Sequence, residues 1–200
     1  NLIDAETSTN IILAGGISDT VANMAPAGTE TAGFTAATTQ DPDVAVTITG
    51  TAPTITELNA VAAATTGVVT ASISDTAANL VASLSTASTD AITITVTDSS
   101  ADAANLNTID ANGTSVAIVA TSVATITGTA AAIVTAAQST GITTAANYAA
   151  TVNSGTLSVA NALILDADTT GAITASVAEG DLATLKTLTN ANSNNVLSIT

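Results

Sequence analysis

Four aspartates are the residues best suited to bind a metal ion. They occur in one recurring box: Ile3-Asp4-Ala5-Glu6, Ile109-Asp110-Ala111-Asn112 and Leu165-Asp166-Ala167-Asp168. Carboxylate oxygens are the hard ligands that Ca²⁺ prefers. If these turns stack, Asp4, Asp110, Asp166 and Asp168 come close together, and calcium becomes the candidate cofactor. An Asx turn or helix cap at each position is the alternative, and we prefer it because no loop holds three closely spaced carboxylates.

The sequence contains few of the side chains that enzymes use for catalysis. A Ser or Thr nucleophile requires a base to activate it, and the sequence contains no His, no Cys and, apart from Lys186, no basic residue. Paired carboxylates could hydrolyse glycosides, but Asp41/Asp43, Asp166/Asp168 and Glu179/Asp181 fall in predicted turns without aromatic residues nearby. Three further aspartates, Asp19, Asp75 and Asp98, are interpreted as helix caps. We therefore predict that the protein is not an enzyme.

Composition excludes several other classes of protein. Hydrophobic residues make up 46% of the 200 residues, but Phe34 and Tyr148 are the only aromatic ones. The predicted core is therefore built from small aliphatic side chains. A net charge of −15 would repel phosphate backbones and anionic lipids, so neither nucleic acid nor a membrane surface is an expected partner. No apolar run reaches the ~20 residues of a membrane-spanning helix, so we expect no membrane insertion.

The elements that must position these residues recur along the chain. Segments rich in Val, Ile and Thr with two-residue alternation predict strands. They are Ile11–Ala14, Asp43–Thr49, Val68–Ser74, Ile92–Asp98, Val116–Thr121, Tyr148–Val152, Ala172–Ala178 and Val196–Thr200. Most of these segments start 24 or 25 residues apart, and a period of this size is typical of a solenoid. We predict a repeat solenoid in which short parallel strands alternate with short helices or turns. An all-β sandwich is the alternative, disfavoured because the intervening segments are Ala-rich and begin with helix-capping residues.

Turns and inserted loops complete the predicted organisation. Thr65-Thr66-Gly67 and Thr169-Thr170-Gly171 are copies of a turn that leads from a helix into the next strand. They lie 104 residues apart, so the predicted single array over residues 1–200 divides into two super-repeats. Longer spacings predict inserted loops near 25–40 and 138–147. Phe34 and Tyr148, which are placed in these loops, would cover a cavity or contact a partner.

Several of these segments have a familiar pattern. Leu106-Asn107-Thr108-Ile109-Asp110-Ala111, Ile126-Thr127-Gly128-Thr129-Ala130-Ala131 and Ser139-Thr140-Gly141-Ile142-Thr143 resemble the Thr/Ala-rich repeats of giant secreted bacterial cell-surface proteins, notably of marine cyanobacteria. The resemblance covers about residues 54–200. It implies an extracellular, structural or adhesive protein without enzymatic activity. The Gly-Gly-x-Gly-x-Asp nonapeptide of the calcium-binding toxin-type repeats does not occur here, so their calcium site does not carry over.

Three functions compete at this point. The first is an extracellular structural protein, the repeat scaffold of a surface filament, sheath or layer, which assembles by subunit stacking. Its expected partner is a second copy: the last strand, Val196–Thr200, carries neither the Pro nor the Lys that protects a sheet edge, so either the chain continues there or the next molecule docks there. The second is an adhesin stalk or a calcium-stiffened binding module of a larger surface protein. The third is a small enzyme, which the missing catalytic side chains argue against.

Overall fold

Strands and helices alternate throughout the chain. The computed structural model describes residues 12–112, 115–188 and 194–200. The strands in this part are β1 (Ile17–Thr20), β2 (Val46–Thr49), β3 (Val69–Asp75), β4 (Ala91–Val96), β5 (Ser100–Asp102), β6 (Ser115–Ala120), β7 (Thr125–Thr129), β8 (Ile142–Thr144), β9 (Ala149–Ser154), β10 (Ile173–Val177) and β11 (Val196–Ile199). The α-helices are α1 (Val21–Met24), α2 (Ala32–Gln40), α3 (Ile55–Ala64), α4 (Ala77–Ser83), α5 (Ala103–Ala111), α6 (Ala130–Gln138), α7 (Val159–Asp168) and α8 (Leu182–Leu185).

The strands form two sheets. One sheet has six strands in the order β1-β2-β3-β4-β6-β8, and the other has five in the order β11-β10-β9-β7-β5. The described strand pairs are parallel: Val46 lies opposite Val69, and Thr125 lies opposite Ala149. Parallel neighbours require a crossover connection between them, and the helices supply it.

The predicted solenoid is therefore wrong, and so is the all-β sandwich. The protein has an α/β fold with a six-stranded and a five-stranded parallel sheet flanked by helices. The prediction assigned one strand to each period of about 24 residues. It missed the short strands β1, β5, β7 and β8, which lie in segments interpreted as caps, turns or an inserted loop. These extra strands let the chain build two sheets, which a single stack of identical layers does not.

Most of the longer predicted strands are present. Seven of the eight predicted segments overlap a strand, from β2 to β11. The eighth, Ile11–Ala14, has no strand in its described residues 12–14, and Ile11 lies outside them. Of the two predicted inserted loops, 25–40 contains a 3₁₀ turn at Pro26–Gly28 and helix α2, and 138–147 contains strand β8.

The chain divides into two compact units that are each discontinuous in sequence. One contains the chain up to Ser74 together with Asn79–Thr95 and Asn112–Ala117. The other contains Asp75–Ala78, Val96–Ala111 and the chain from Ile118 onward. The predicted 104-residue super-repeat does not follow this division and stays a prediction.

Alternating aliphatic side chains build the core of each unit. In β3, Val69, Ala71 and Ile73 are buried while the residues between them face outward. In β10, Ile173, Ala175 and Val177 follow the same pattern. Each fully buried large aliphatic residue contributes about 1.5–3 kcal/mol.

Several helices begin with a residue whose side chain caps them, whereas α1 has no side-chain cap. Thr54 and Glu57 form a reciprocal capping box at the start of α3. Hydrogen bonds from the Thr54 N–H and hydroxyl, and then from the Ala27 N–H, lower the pKa of Glu57. Within the described residues, none of the helices combines the length and apolar character needed to cross a bilayer.

Candidate functional site

Three of the four predicted metal-binding aspartates bond to a side chain from another segment. Asp110 lies near the C-terminus of α5, and its Oδ2 accepts a 2.7 Å hydrogen bond from Ser139 Oγ. Asp166 Oδ1 accepts a 2.8 Å bond from Asn195 Nδ2. Asp168 Oδ2 accepts a 2.6 Å bond from the Tyr148 hydroxyl. Asp4 lies outside the described residues.

These carboxylates connect helix ends to other parts of the chain, later in sequence for Asp110 and Asp166 and earlier for Asp168. Asn195 also accepts the N–H of Ile173 at 2.9 Å, so the Asp166–Asn195 pair anchors the start of β10. Among the described residues, no group of three or more His, Cys, Asp or Glu side chains converges to form a metal centre. The arrangement they form supports hydrogen bonding between segments, and the calcium site stays a prediction.

The two Thr-Thr-Gly turns have the same geometry. Thr65 Oγ1 donates to the Val44 carbonyl at 2.7 Å and accepts the Gly67 N–H at 3.0 Å. Thr169 Oγ1 donates to the Tyr148 carbonyl at 2.5 Å and accepts the Gly171 N–H at 2.9 Å. Each hydroxyl therefore holds its own turn closed and fastens that turn to the entrance of a neighbouring strand.

The two aromatic residues belong to the core. Tyr148 is 1% exposed and Phe34 is 4% exposed. Burial raises the pKa of the Tyr148 phenol, and the hydrogen bond to Asp168 and the negative charge of that carboxylate raise it further. Both residues were expected in inserted loops: Phe34 instead lies in α2, whereas Tyr148 lies in the connection between β8 and β9.

The predicted capping aspartates hold backbone N–H groups, although not always those of the nearest helix. Asp19 accepts the Thr20 N–H at 2.7 Å, next to the start of α1. Asp75 likewise accepts the N–H of the next residue, Thr76. Asp98, in contrast, caps a helix that precedes it in sequence, because it accepts the N–H of Ala77 at 2.7 Å.

Two buried aspartates were not singled out as anchors by the sequence. Asp41 is 7% exposed and accepts the Leu13 N–H at 2.6 Å. Asp90 is 6% exposed and accepts the N–H groups of Val69 and Ala87, both at 2.8 Å. Asp41 lies a few residues before β2, and Asp90 lies directly before β4. This position is the only local signal of their role. Of the predicted carboxylate pairs, Asp43 is exposed beside buried Asp41, and Glu179 accepts the Asp181 N–H at 2.9 Å.

An amphipathic cavity lies beside β1 and α1. It has a volume of about 270 Å³ and is lined by Ile17, Asp19, Asn23, Met24, Gly33, Phe34 and Ala37. Its apolar wall includes the buried side chains of Met24 and Phe34. At its polar side, Asn23 Nδ2 donates to Asp19 Oδ1 at 2.8 Å. This bond, followed by that from the Thr20 N–H, lowers the pKa of Asp19, which is therefore an anion at neutral pH.

A second cavity is more polar. It has a volume of about 260 Å³ and is lined by Leu84, Thr86, Ser88 and Asn112. The Thr86 hydroxyl is buried, and no hydrogen-bond partner for it is found in the described part of the chain. A bound water molecule would satisfy this group.

The last strand of the five-stranded sheet presents an apolar edge. Among the residues that the structure describes, β11 pairs with β10 on one side and has no strand on its other side. Val196 is 63% exposed and Ile199 is 49% exposed. Leu182, at the start of the preceding helix α8, is 79% exposed. Apolar exposure together with an open sheet edge favours contact with another polypeptide.

Comparison with known proteins adds no relative. No family model, curated protein or solved structure matches the chain significantly. A functional assignment therefore depends on the cavities, the sheet edges and the charge of this chain.

Proposed function

We propose that this protein is an extracellular structural protein, a scaffold of a surface filament, sheath or layer whose copies assemble by stacking. The open edge strand β11, with its exposed Val196 and Ile199, carries this proposal. Sheet edges of this kind pair with strands of other chains.

Backbone geometry identifies the groups that are available for such pairing. The Thr200 N–H donates to the Val177 carbonyl at 3.0 Å, and Val177 lies opposite Ile199. In a parallel pair the residues that bond to one neighbour alternate with those that face the other side. The N–H and C=O groups of Leu197 and Ile199 therefore point away from β10, towards the place where another strand would lie.

Parallel pairing also determines the kind of assembly. The two edges of a parallel sheet are different strands, so an added strand that continues the parallel order makes a head-to-tail contact, whereas two β11 strands that pair antiparallel would make a symmetric one. Head-to-tail contacts that do not close into a ring generate open filaments. The residue types agree with this role, because a sequence without His, Cys or Arg has few groups for acid–base or nucleophilic catalysis.

A variant at the edge strand tests the proposal. We expect the full chain to form elongated particles in electron micrographs and to sediment faster as its concentration rises. Ile199→Lys places a charge on the open edge, as natural edge strands do, and should weaken association about tenfold, a change of ~1.4 kcal/mol.

The matched control is Val68→Lys. Val68 is 42% exposed and precedes an interior strand of the other sheet. The Val68→Lys substitution therefore adds the same charge away from the open edge. Val68→Lys should associate at least as well as the wild type, because it reduces the net negative charge without touching β11. A wild-type chain that stays monomeric at every concentration would exclude the scaffold role, and equal effects of the two variants would exclude β11 as the contact.

A further inference from the structure

The protein has one basic side chain, which is exposed and follows an exposed leucine by four residues. Lys186 is the only cation among 200 residues with 16 carboxylates. It is exposed, and within the described part of the chain no carboxylate forms an ion pair with it. Lys186 follows α8 directly, and Leu182 lies four residues earlier. Residues four apart lie on the same face of a helical turn, so the two side chains form an apolar and cationic pair, here called the Leu182–Lys186 knob.

The acidic residues beside the knob are occupied by local hydrogen bonds. Asp181 accepts the N–H groups of Ala183 and Thr184 and the Thr184 hydroxyl, which lowers the pKa of its carboxyl group. Glu179 accepts the Asp181 N–H. With no ion pair to it from the residues that the structure describes, the Lys186 ammonium can meet a carboxylate of another molecule.

The cavity beside β1 has the complementary chemistry. Ile17, Met24 and Phe34 give it an apolar wall, and Asp19 gives it an anion whose only described side-chain partner is Asn23. An aromatic ring next to a carboxylate suits an ammonium group, because the ring face attracts cations. A volume of about 270 Å³ is small for a drug-sized ligand, whose pockets measure roughly 300–1,000 Å³, but it admits a side chain.

We propose that the Leu182–Lys186 knob of one copy docks into the Asp19–Phe34 cavity of a second copy. This inference rests on the proposed self-association and names a specific contact within it. The partner is a second copy because cavity and knob match in both charge and apolar character. Since each copy carries both parts, the contact repeats from copy to copy in a head-to-tail manner.

Sedimentation of the full chain with single and paired charge variants tests the contact. Lys186→Gln and Asp19→Asn should each raise the dissociation constant about tenfold, because each leaves the other charge without its partner. Lys186→Arg should retain most of the affinity. Asp19→Lys and Lys186→Asp should each abolish association, and the double variant should restore it, because the pair is then reversed.

Two controls keep the test decisive. Asp43→Lys makes the same charge change at an exposed carboxylate outside the cavity and should associate at least as well as the wild type. Circular dichroism melts check that Asp19 variants remain folded, whereas Lys186 is exposed and its substitutions should not affect folding. If the wild type associates but Lys186→Gln does so equally well, the knob contact is excluded and the scaffold role stands. If the wild type does not associate at all, the scaffold role fails.

Discussion

At the scale of single residues, a hydroxyl and a glycine fasten each Thr-Thr-Gly turn. Thr169 bonds to both the Tyr148 carbonyl and the Gly171 N–H. A Cβ atom at Gly171 would overlap the Tyr148 carbonyl oxygen and lie 2.6 Å from that of Asn147. The glycine is therefore required by the close approach of two backbone segments. The sequence predicts a turn here from residue types, but the neighbouring strand that excludes a side chain is about twenty residues away.

Gly171→Ala should consequently destabilise the protein. The clash is with backbone atoms, which cannot move aside as a flexible side chain does, and we expect a loss of about 1–3 kcal/mol. Gly180→Ala is the matched control, because no atom lies within 4 Å of a Cβ at that position; it should change stability by less than about 0.5 kcal/mol. Urea unfolding followed by circular dichroism measures both. Equal unfolding midpoints for the two variants would contradict the proposed steric role.

Tyr148 makes stability sensitive to alkaline pH. An unfolded tyrosine titrates near pH 10, whereas burial and the bond to Asp168 raise the pKa of Tyr148 in the folded state. Below pH 10 the Tyr148 phenol is protonated in both the folded and the unfolded state, so its contribution to stability is fully present. Above pH 10 the unfolded state loses the proton first, so stability falls by up to about 1.4 kcal/mol per pH unit until the folded pKa is reached.

The sequence makes this effect easy to isolate, because Tyr148 is the only tyrosine and there is no cysteine. Unfolding of the wild type between pH 9 and pH 11 should show the decline, and Tyr148→Phe should remove it. Lys186→Gln is the control and should retain it, because exposed Lys186 takes no part in the Tyr148–Asp168 contact. A decline of the same slope in Tyr148→Phe would rule out Tyr148 as its source.

At the scale of elements, Asp90 anchors the start of β3. Its two carboxylate oxygens accept the N–H groups of Val69 and Ala87. Asp90→Ala leaves both donors without this acceptor; the Val69 N–H is buried, and a buried donor left unpaired costs about 1–3 kcal/mol, whereas Ala87 is exposed and its N–H can bond to water. Asp90→Asn retains one carbonyl oxygen and should lose less. Amide exchange at Val69 should accelerate in Asp90→Ala and stay unchanged in Asp43→Ala, which removes an exposed carboxylate; unchanged exchange in both would contradict the anchoring role.

A strand or helix can be predicted from the sequence when residues within the element itself determine it. β3 was predictable because buried and exposed residues alternate over its whole length. β7 was not predictable from the sequence, but the helix cap at its end was. Thr129 forms this cap, because its hydroxyl accepts the Ala132 N–H at the start of α6. A capping residue has extended backbone angles, so the segment before a cap resembles a short strand. Only the neighbours of Thr125–Thr129 in the five-stranded sheet decide that it pairs.

The candidate sites follow the same rule. The sequence identified Asp110, Asp166 and Asp168 as notable, but their partners Ser139, Asn195 and Tyr148 lie 20 to 29 residues away. The cavity beside β1 combines a strand and two helices, α1 and α2, and the segment of α2 was expected to be a loop. Residue types can be read locally, whereas the groups that they meet depend on the fold.

At the scale of the whole molecule, charge opposes the assembly that the open edge permits. Each copy carries a net charge of −15, so two copies repel each other over the distance that salt leaves unscreened. This repulsion limits association in dilute salt even if the edge and knob contacts are favourable. It also keeps single copies soluble until conditions allow assembly.

Self-association should therefore increase with salt. Between ~0.01 and ~0.15 M ionic strength the Debye length falls from about 30 to about 8 Å, which removes most of the repulsion between separated copies. The Asp19–Lys186 contact is screened much less because its charges are in direct contact and partly buried. Sedimentation at fixed protein concentration should show larger particles at higher salt, and Val68→Lys should reach them at lower salt because it is less negative. Association that weakens steadily as salt rises would mean that attraction between a few opposite charges, rather than relief of the overall repulsion, controls assembly.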